Sequence, residues 1–201
     1  MGGVKLTKFT HACMRVEFEG RVLVIDPGIW SEPSALDGAD AVLVTHEHAD
    51  HVDILRLLGA GVPVFAPAGA ELGALPYTPV SAGDDFSAAG FRVRAHGGRH
   101  ALIYGDQPDC ANLGYLVDGS LYHPGDSVHV PDEPVETLLV PLQGSWLKTV
   151  EAIDFVRAVR PRRAYGIHDA QLNDRGLSTA NAWLARETGD GYRWLAPRET
   201  A

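Results

Sequence analysis

Apolar and polar residues alternate in short bursts along the first third of the chain, the period-two signature of strands. Strands are predicted at 4–9, 12–18 and Arg21–Ile25, with Glu19-Gly20 as a hairpin turn. After a loop containing Trp30, the run Ala41-Val42-Leu43-Val44 ends at Thr45 and opens directly into a histidine-rich segment. A helix is predicted over Val52–Leu58, a strand at Val62–Phe65 and a short helix at 68–75. Further strands are predicted at 77–80, 91–95, 101–104, 113–117 and 120–123, separated by Gly and Asp turns at 83–85, 97–98, 105–106 and 118–119. Val135–Val140 reads as a buried strand. Thr149–Val159 carries apolar residues at mostly helical spacing and is closed by Pro161; a strand at Arg163–Ile167, a helix at 178–187 and a strand at 192–195 follow. A strand-rich first half and interleaved helices later fit two packed sheets with helices outside them, in one domain over 1–201.

Composition narrows the chemistry. With 201 residues, 45% of them hydrophobic and 21% charged, the chain can bury a substantial core. Its net charge of -9 opposes sequence-independent attraction to nucleic-acid phosphates or an anionic membrane, so a small-molecule substrate is expected. Cys13 and Cys110 are too few for a disulfide scaffold and read as reduced thiols. The opening Met1-Gly2-Gly3-Val4-Lys5-Leu6 lacks the apolar core of a signal peptide, and no apolar run reaches membrane-spanning length. A cytoplasmic protein is the expectation; the oligomeric state is left open.

The informative segment is His46-Glu47-His48-Ala49-Asp50-His51. It stands where an apolar strand gives way to a helix, a place where ligands are held rigidly yet open to solvent. Residues two apart in extended chain point the same way, so His46 and His48 can approach one metal ion together. Asp50 and His51 can turn towards a second.

This segment resembles the His-x-His-x-Asp-His signature of metallo-β-lactamase-fold hydrolases, and the resemblance continues along the chain. Val24-Ile25-Asp26-Pro27 is similar to the strand-end Asp motif that precedes the signature; His123-Pro124-Gly125-Asp126-Ser127 is similar to the segment supplying a metal-bridging carboxylate. Gly166-Ile167-His168-Asp169 resembles the late strand-end histidine. Within the superfamily the short hydrolases similar to ascorbate-6-phosphate lactonase look nearest. Their opening Gly-His-Ser is only partly echoed in Thr10-His11-Ala12, which lacks the Gly and Ser.

The resemblance implies an α/β fold, an αββα sandwich of two mixed sheets with outer helices. It implies His46, His48 and His100 around one divalent ion, Asp50, His51 and His168 around another, and Asp126 between them. Zinc is the default, and manganese or iron also suits such nitrogen and oxygen donors. Water shared by two ions becomes a nucleophile near neutral pH, with Asp50 and Asp126 as the catalytic carboxylates. For the third ligand of the first ion, His96 competes with His100. The strand Phe91–Ala95 puts His96 on the side of Arg92 and Arg94, read as solvent, whereas Gly97-Gly98 allows a bend that re-aims His100.

Other residues carry two readings each. Asp26 is either a turn residue before Pro27 or a carboxylate that hydrogen-bonds a ligand histidine and orients it. His11 and His123 either line the pocket or are satisfied within the core, and His129 reads as surface. In Pro141–Lys148, Gln143, Trp146 and Lys148 are candidate substrate contacts, although Trp146 can instead staple the next helix; Trp30 has the same ambiguity. Hydrolysis of an ester, lactone, phosphoester or amide in a small molecule is the expected function. A nuclease or phosphodiesterase, a di-iron oxygen or nitric oxide reductase, and a non-catalytic metal-binding scaffold are the alternatives.

Overall fold

The computed structural model describes residues 3–201, so residues 1 and 2, part of the segment read above for a leader, lie outside the described residues. Two mixed sheets pack face to face. The first takes β1 (Lys5–Lys8), β2 (Met14–Phe18), β3 (Arg21–Ile25), β4 (Ala41–Leu43), β5 (Val64–Pro67) and β6 (Thr78–Val80) as neighbours in chain order. It is antiparallel up to β3 and parallel from there. The second holds β7 (Asp85–Ala88), β8 (Phe91–Gly97), β9 (Leu113–Val117), β10 (Leu121–His123), β11 (Thr137–Pro141), β12 (Arg163–Ile167) and β13 (Tyr192–Trp194). It is antiparallel up to β10 and parallel beyond.

The strand pattern explains the layering. In β3, Leu23 and Ile25 face the second sheet while Val22 and Val24 face outwards, and β4 repeats this with Ala41 and Leu43 inside and Val42 outside. A strand buried on both faces needs apolar residues at every position, which is what these runs supply. The inner face meets Phe91, Val93, Tyr115, Leu139 and Ile167 from the second sheet. Each such buried side chain contributes about 1.5–3 kcal/mol. Leu57 of α1 (Ile54–Ala60) covers the outside of the first sheet. Ile153 and Phe155 of α2 (Thr149–Val159), with Leu184 of α3 (Asp174–Thr188), cover the outside of the second. The αββα sandwich is therefore the observed arrangement.

Several boundaries differ from expectation. Residues 68–75 form turns rather than a helix: Gly69 and Gly73 take positive φ, and local bonds such as Leu75 N–H to the Leu72 carbonyl tuck Leu72 and Leu75 into the outer core. Residues 101–104 are not a ladder strand, being held by Ala101 N–H to the Asp126 carbonyl and an isolated bridge between Tyr104 and Gln107. Asp85–Ala88, partly read as a turn, is an edge strand with only Ala88 buried, too polar to show the alternation. A short 3-10 helix, Pro33–Leu36, was not foreseen. α3 starts at Asp174 because the Asn173 side chain caps it by accepting from Gly176 N–H at 2.9 Å. Gly176 in its first turn masks that start in the sequence.

β1, β3, β4, β8, β10, β11 and β12 end at one common edge of the sandwich. Four bonds stitch the sheets there: Leu113 N–H to the Thr45 carbonyl, Tyr115 O–H to the Val44 carbonyl, His168 N–H to the His11 carbonyl, and His123 Nε2–H to the Ala12 carbonyl, at 2.8–3.0 Å. Chain segments leaving these strands converge on that edge, as ligand-binding loops do in open α/β sheets.

Candidate metal centre

Asp26, immediately after β3, is wholly buried and organises the floor of the site. Its Oδ1 accepts Thr45 N–H at 2.7 Å, and its Oδ2 accepts both the Thr45 hydroxyl and His51 Nδ1–H, each at 2.7 Å. Because the Thr45 proton goes to Asp26, Thr45 Oγ1 is left to accept from His46 Nδ1–H at 3.0 Å. Both imidazoles are thereby anchored through Nδ1, with Nε2 turned to the centre. His100 is anchored the same way, through Nδ1–H to the Ala101 carbonyl at 2.6 Å. Histidines that ligate metals are oriented through their other ring nitrogen in just this manner.

At the centre, Nε2 of His46 lies 3.1 Å from Nδ1 of His48. Asp126 reaches across: Oδ1 is 3.0 Å from His51 Nε2, and Oδ2 is 3.2 Å from His100 Nε2 and 3.1 Å from His168 Nε2. Asp50 Oδ2 approaches His168 Nε2 at 3.8 Å and His51 Nε2 at 4.0 Å. Donor atoms of His46, His48 and His100 gather in one group, those of His11, Asp50, His51 and His168 in a second, and His46, His51 and Asp126 join them. His51 Nε2, Asp126 Oδ1 and both ring nitrogens of His168 are buried without an aligned hydrogen-bond partner. Orphaned donor atoms converging on one point are costly unless something binds there.

Two tight backbone passages hold the loops. A Cβ on Gly28 would collide with the Asp50 carbonyl, and one on Gly125 with the Asn112 amide and Thr45. Gly125 also takes φ +62. Asn112 clamps this turn by accepting Asp126 N–H and donating to the Pro124 carbonyl, both at 2.9 Å. His11, Asp26 and His168 adopt left-handed φ of 70, 51 and 55 degrees. Such strain costs about 1–3 kcal/mol per residue and collects at functional sites.

Burial pushes His46 well below the ordinary histidine range and lowers His48 and His11. For His51 burial acts the same way, but Asp126 and Asp26 on either side outweigh it and hold the ring well above that range. Burial would raise Asp50, yet the His11 hydrogen bond and the nearby His51 bring it down to about 2. Asp126 is likewise held well below the carboxylate range, with His51 and His168 overcoming its burial.

All seven residues assigned to metal by resemblance lie in this cluster. Asp26 is the brace of His51 and Thr45. His11 donates to Asp50 and stands edge-on to Trp30, with ring centroids 4.8 Å apart. Trp146 donates Nε1–H to Asp126 Oδ2 at 3.0 Å, which places it against the cluster itself. His123 belongs to the core, with one nitrogen donating to Ala12 and the other accepting Gly125 N–H at 3.1 Å. Lys148 is exposed at the start of α2, and Gln143 is partly buried with an unpaired Oε1. His96 is away from the cluster, as its strand parity requires, but packs beside Glu133 at 3.3 Å and Tyr122 instead of facing solvent. Thr45, Asn112 and the buried Lys8–Asp169 pair escaped the sequence reading. Of these, only Thr45, next to His46, had a positional hint.

The family model described as Beta-lactamase superfamily domain matches residues 5–168, from β1 to the last clustered histidine. The chain belongs to the beta-lactamase superfamily. It is a metal-dependent hydrolase with the metallo-β-lactamase fold. A Mycobacterium tuberculosis protein is 39% identical, over 98% of this chain and 99% of that one. A UPF0173 metal-dependent hydrolase of Carboxydothermus hydrogenoformans is 28% identical over 82% of this chain and 84% of its own. The structure of Igni18, a metallo hydrolase from Ignicoccus hospitalis, superposes with a TM-score of 0.77 at 20% identity, over 98% of this chain and 97% of that one, which speaks to the fold. Among the described residues no helix is long and apolar enough to cross a membrane.

Proposed function

We propose that this superfamily member holds two divalent ions, zinc by default, and cleaves an ester, lactone, phosphoester or amide bond in a small molecule. The observation that carries the reading is the position of Asp126, whose two oxygens reach histidines of both donor groups. The buried His51 Nε2, Asp126 Oδ1 and His168 Nε2, which converge without an aligned hydrogen bond, fit ions, since all are nitrogen or oxygen donors. Bound there, the ions would supply Lewis acidity and an activated water.

The remaining work falls to the chain. Asp50 stays ionised and accepts the His11 Nε2–H hydrogen bond on Oδ2, which leaves Oδ1 to orient an attacking water. Trp146 fixes the tilt of Asp126, and the buried floor keeps bulk water from the far side. The net charge of -9 favours a small substrate over nucleic acid, and the two free cysteines suit a reducing cytoplasm.

Elemental analysis of metal-replete protein, with a screen of chromogenic esters, lactones, phosphodiesters and β-lactams, tests this reading. Close to two ions per chain and activity abolished by chelation are expected. Asp126→Asn should lower ion content and turnover more than folding, because an amide offsets the repulsion between two cations poorly. Absence of any ion would overturn the reading, and two ions without turnover would favour the scaffold alternative.

A further inference from the structure

We infer that the part of the substrate not being cleaved is an uncharged apolar group, an alkyl or aryl chain, held in a collar of Trp30, Trp146 and Leu102. This rests on the hydrolase reading above and extends it to the substrate. Large apolar side chains exposed to water are few among the described residues, and half of them, Ile29, Trp30, Leu102, Ile103 and Tyr104, fall in the two loops that flank the metal centre. Exposed apolar groups gathered around a polar centre mark a binding surface.

Each collar residue has a fixed relation to the cluster. Trp30, 40% exposed, stands edge-on to His11. Trp146 lies between His100 and His168, its ring centroid 6.0 Å from each. Leu102, 55% exposed, belongs to a hairpin-like flap over 98–112, closed by reciprocal Gly98–Asn112 bonds, His100 N–H to the Cys110 carbonyl and Ile103 N–H to the Gln107 carbonyl. His100 N–H and Ala101 N–H point to opposite neighbours, Cys110 and Asp126, so the flap is tied to the cluster at His100, and Leu102 follows two residues further out. Arg99, on the same flap, pairs with Asp109. Arg56, beneath the Trp30 loop, is held by Asp53 and the Ser31 carbonyl. Both guanidinia are paired. Lys148, exposed at the start of α2 two residues past Trp146, is the cation left to receive a phosphate or carboxylate, and p-nitrophenyl phosphate in the test reads that outcome.

The test compares p-nitrophenyl acetate, butyrate and octanoate with p-nitrophenyl phosphate on metal-loaded protein, and measures octanoate and acetate binding by quenching of tryptophan fluorescence. The expected result is kcat/KM at least about tenfold higher for octanoate than for acetate, with octanoate binding correspondingly tighter. Leu102→Ser should narrow both ratios at unchanged ion content. Hydrolysis indifferent to chain length, or preference for the phosphate, would overturn this inference and leave the hydrolase reading standing. If no substrate turns over although two ions are bound, the hydrolase reading fails, while indifference of fluorescence to chain length would still sink the collar. Concentration-dependent dimerisation abolished by Leu102→Ser would show that a second copy covers the flap, and would also overturn it.

Discussion

Nε2 of His11 lies 3.1 Å from Oδ2 of Asp50, while the Ala170 N–H is donated to the other ring nitrogen of His11 at 3.2 Å. A neutral imidazole that accepts at Nδ1 carries its proton on Nε2. His11 is therefore a donor to Asp50, with no lone pair at Nε2 for a metal.

His11→Gln, which keeps an N–H donor, is expected to retain the ion content of the parent and most of its turnover. His11→Ala should keep the ions but lose turnover about tenfold or more, since a hydrogen bond to a charged group is worth about 1.5–3 kcal/mol. Metal analysis with kcat measurement checks this. Loss of an ion in both variants would make His11 a ligand.

Asp26 is wholly buried and sets the direction of His51 and, through Thr45, of His46. Asp26→Asn is expected to weaken metal affinity by about 10–100-fold, the usual cost of losing such a partner. Competition with a chromophoric chelator measures it, and unchanged affinity would reduce Asp26 to a turn residue.

His51 is held above the ordinary histidine range by Asp126 and Asp26, which together outweigh its burial. In the metal-free protein it is a cation at neutral pH. Its contribution to stability is complete below the ordinary histidine pKa and is lost as pH rises through its own raised pKa. An entering ion must displace that proton, whereas His46 and His48, lowered by burial, are already neutral. Ion binding at pH 7 should release the His51 proton, and affinity should weaken as pH is lowered. Calorimetry in buffers of different ionisation enthalpy reads this directly; a buffer-independent enthalpy would contradict it.

His100 and His96 are separated by strand parity and the turn at Gly97-Gly98. His100→Ala should remove metal and His96→Ala should leave ion content nearly unchanged, because His96 meets Glu133 and Tyr122 on the other face of β8. The reverse outcome by elemental analysis would reassign the ligand.

Lys8 Nζ is wholly buried 2.9 Å from Asp169 Oδ2, which also accepts Trp194 Nε1–H at 2.7 Å. Lys8→Met leaves Asp169 buried without its cation and should cost about 3–5 kcal/mol, read by urea unfolding of the metal-free protein. Lys8→Met with Asp169→Leu should recover most of that loss. A single variant as stable as the parent would mean the pair is unimportant to the fold.

The alternation in β1 to β3, the apolar run of β4 and the helical spacing of α2 are local patterns that fit two packed sheets with helices outside them. The αββα sandwich itself was implied by the resemblance that the histidine motif carries. The short-range cluster His46–His51 likewise announced a metal site, since its spacing alone brings donors together. Other features depend on contacts between residues far apart in the chain. That Thr45 relays Asp26 to His46, that Asn112 clamps the Asp126 turn, that Trp146 meets Asp126 and that Lys8 pairs with Asp169 follow only once both sheets end at one edge. His123 and His11 look alike in sequence, yet one is saturated in the core and the other faces Asp50. Hydrogen-bond partners across the sandwich decide that difference, and they leave no periodic trace in either segment.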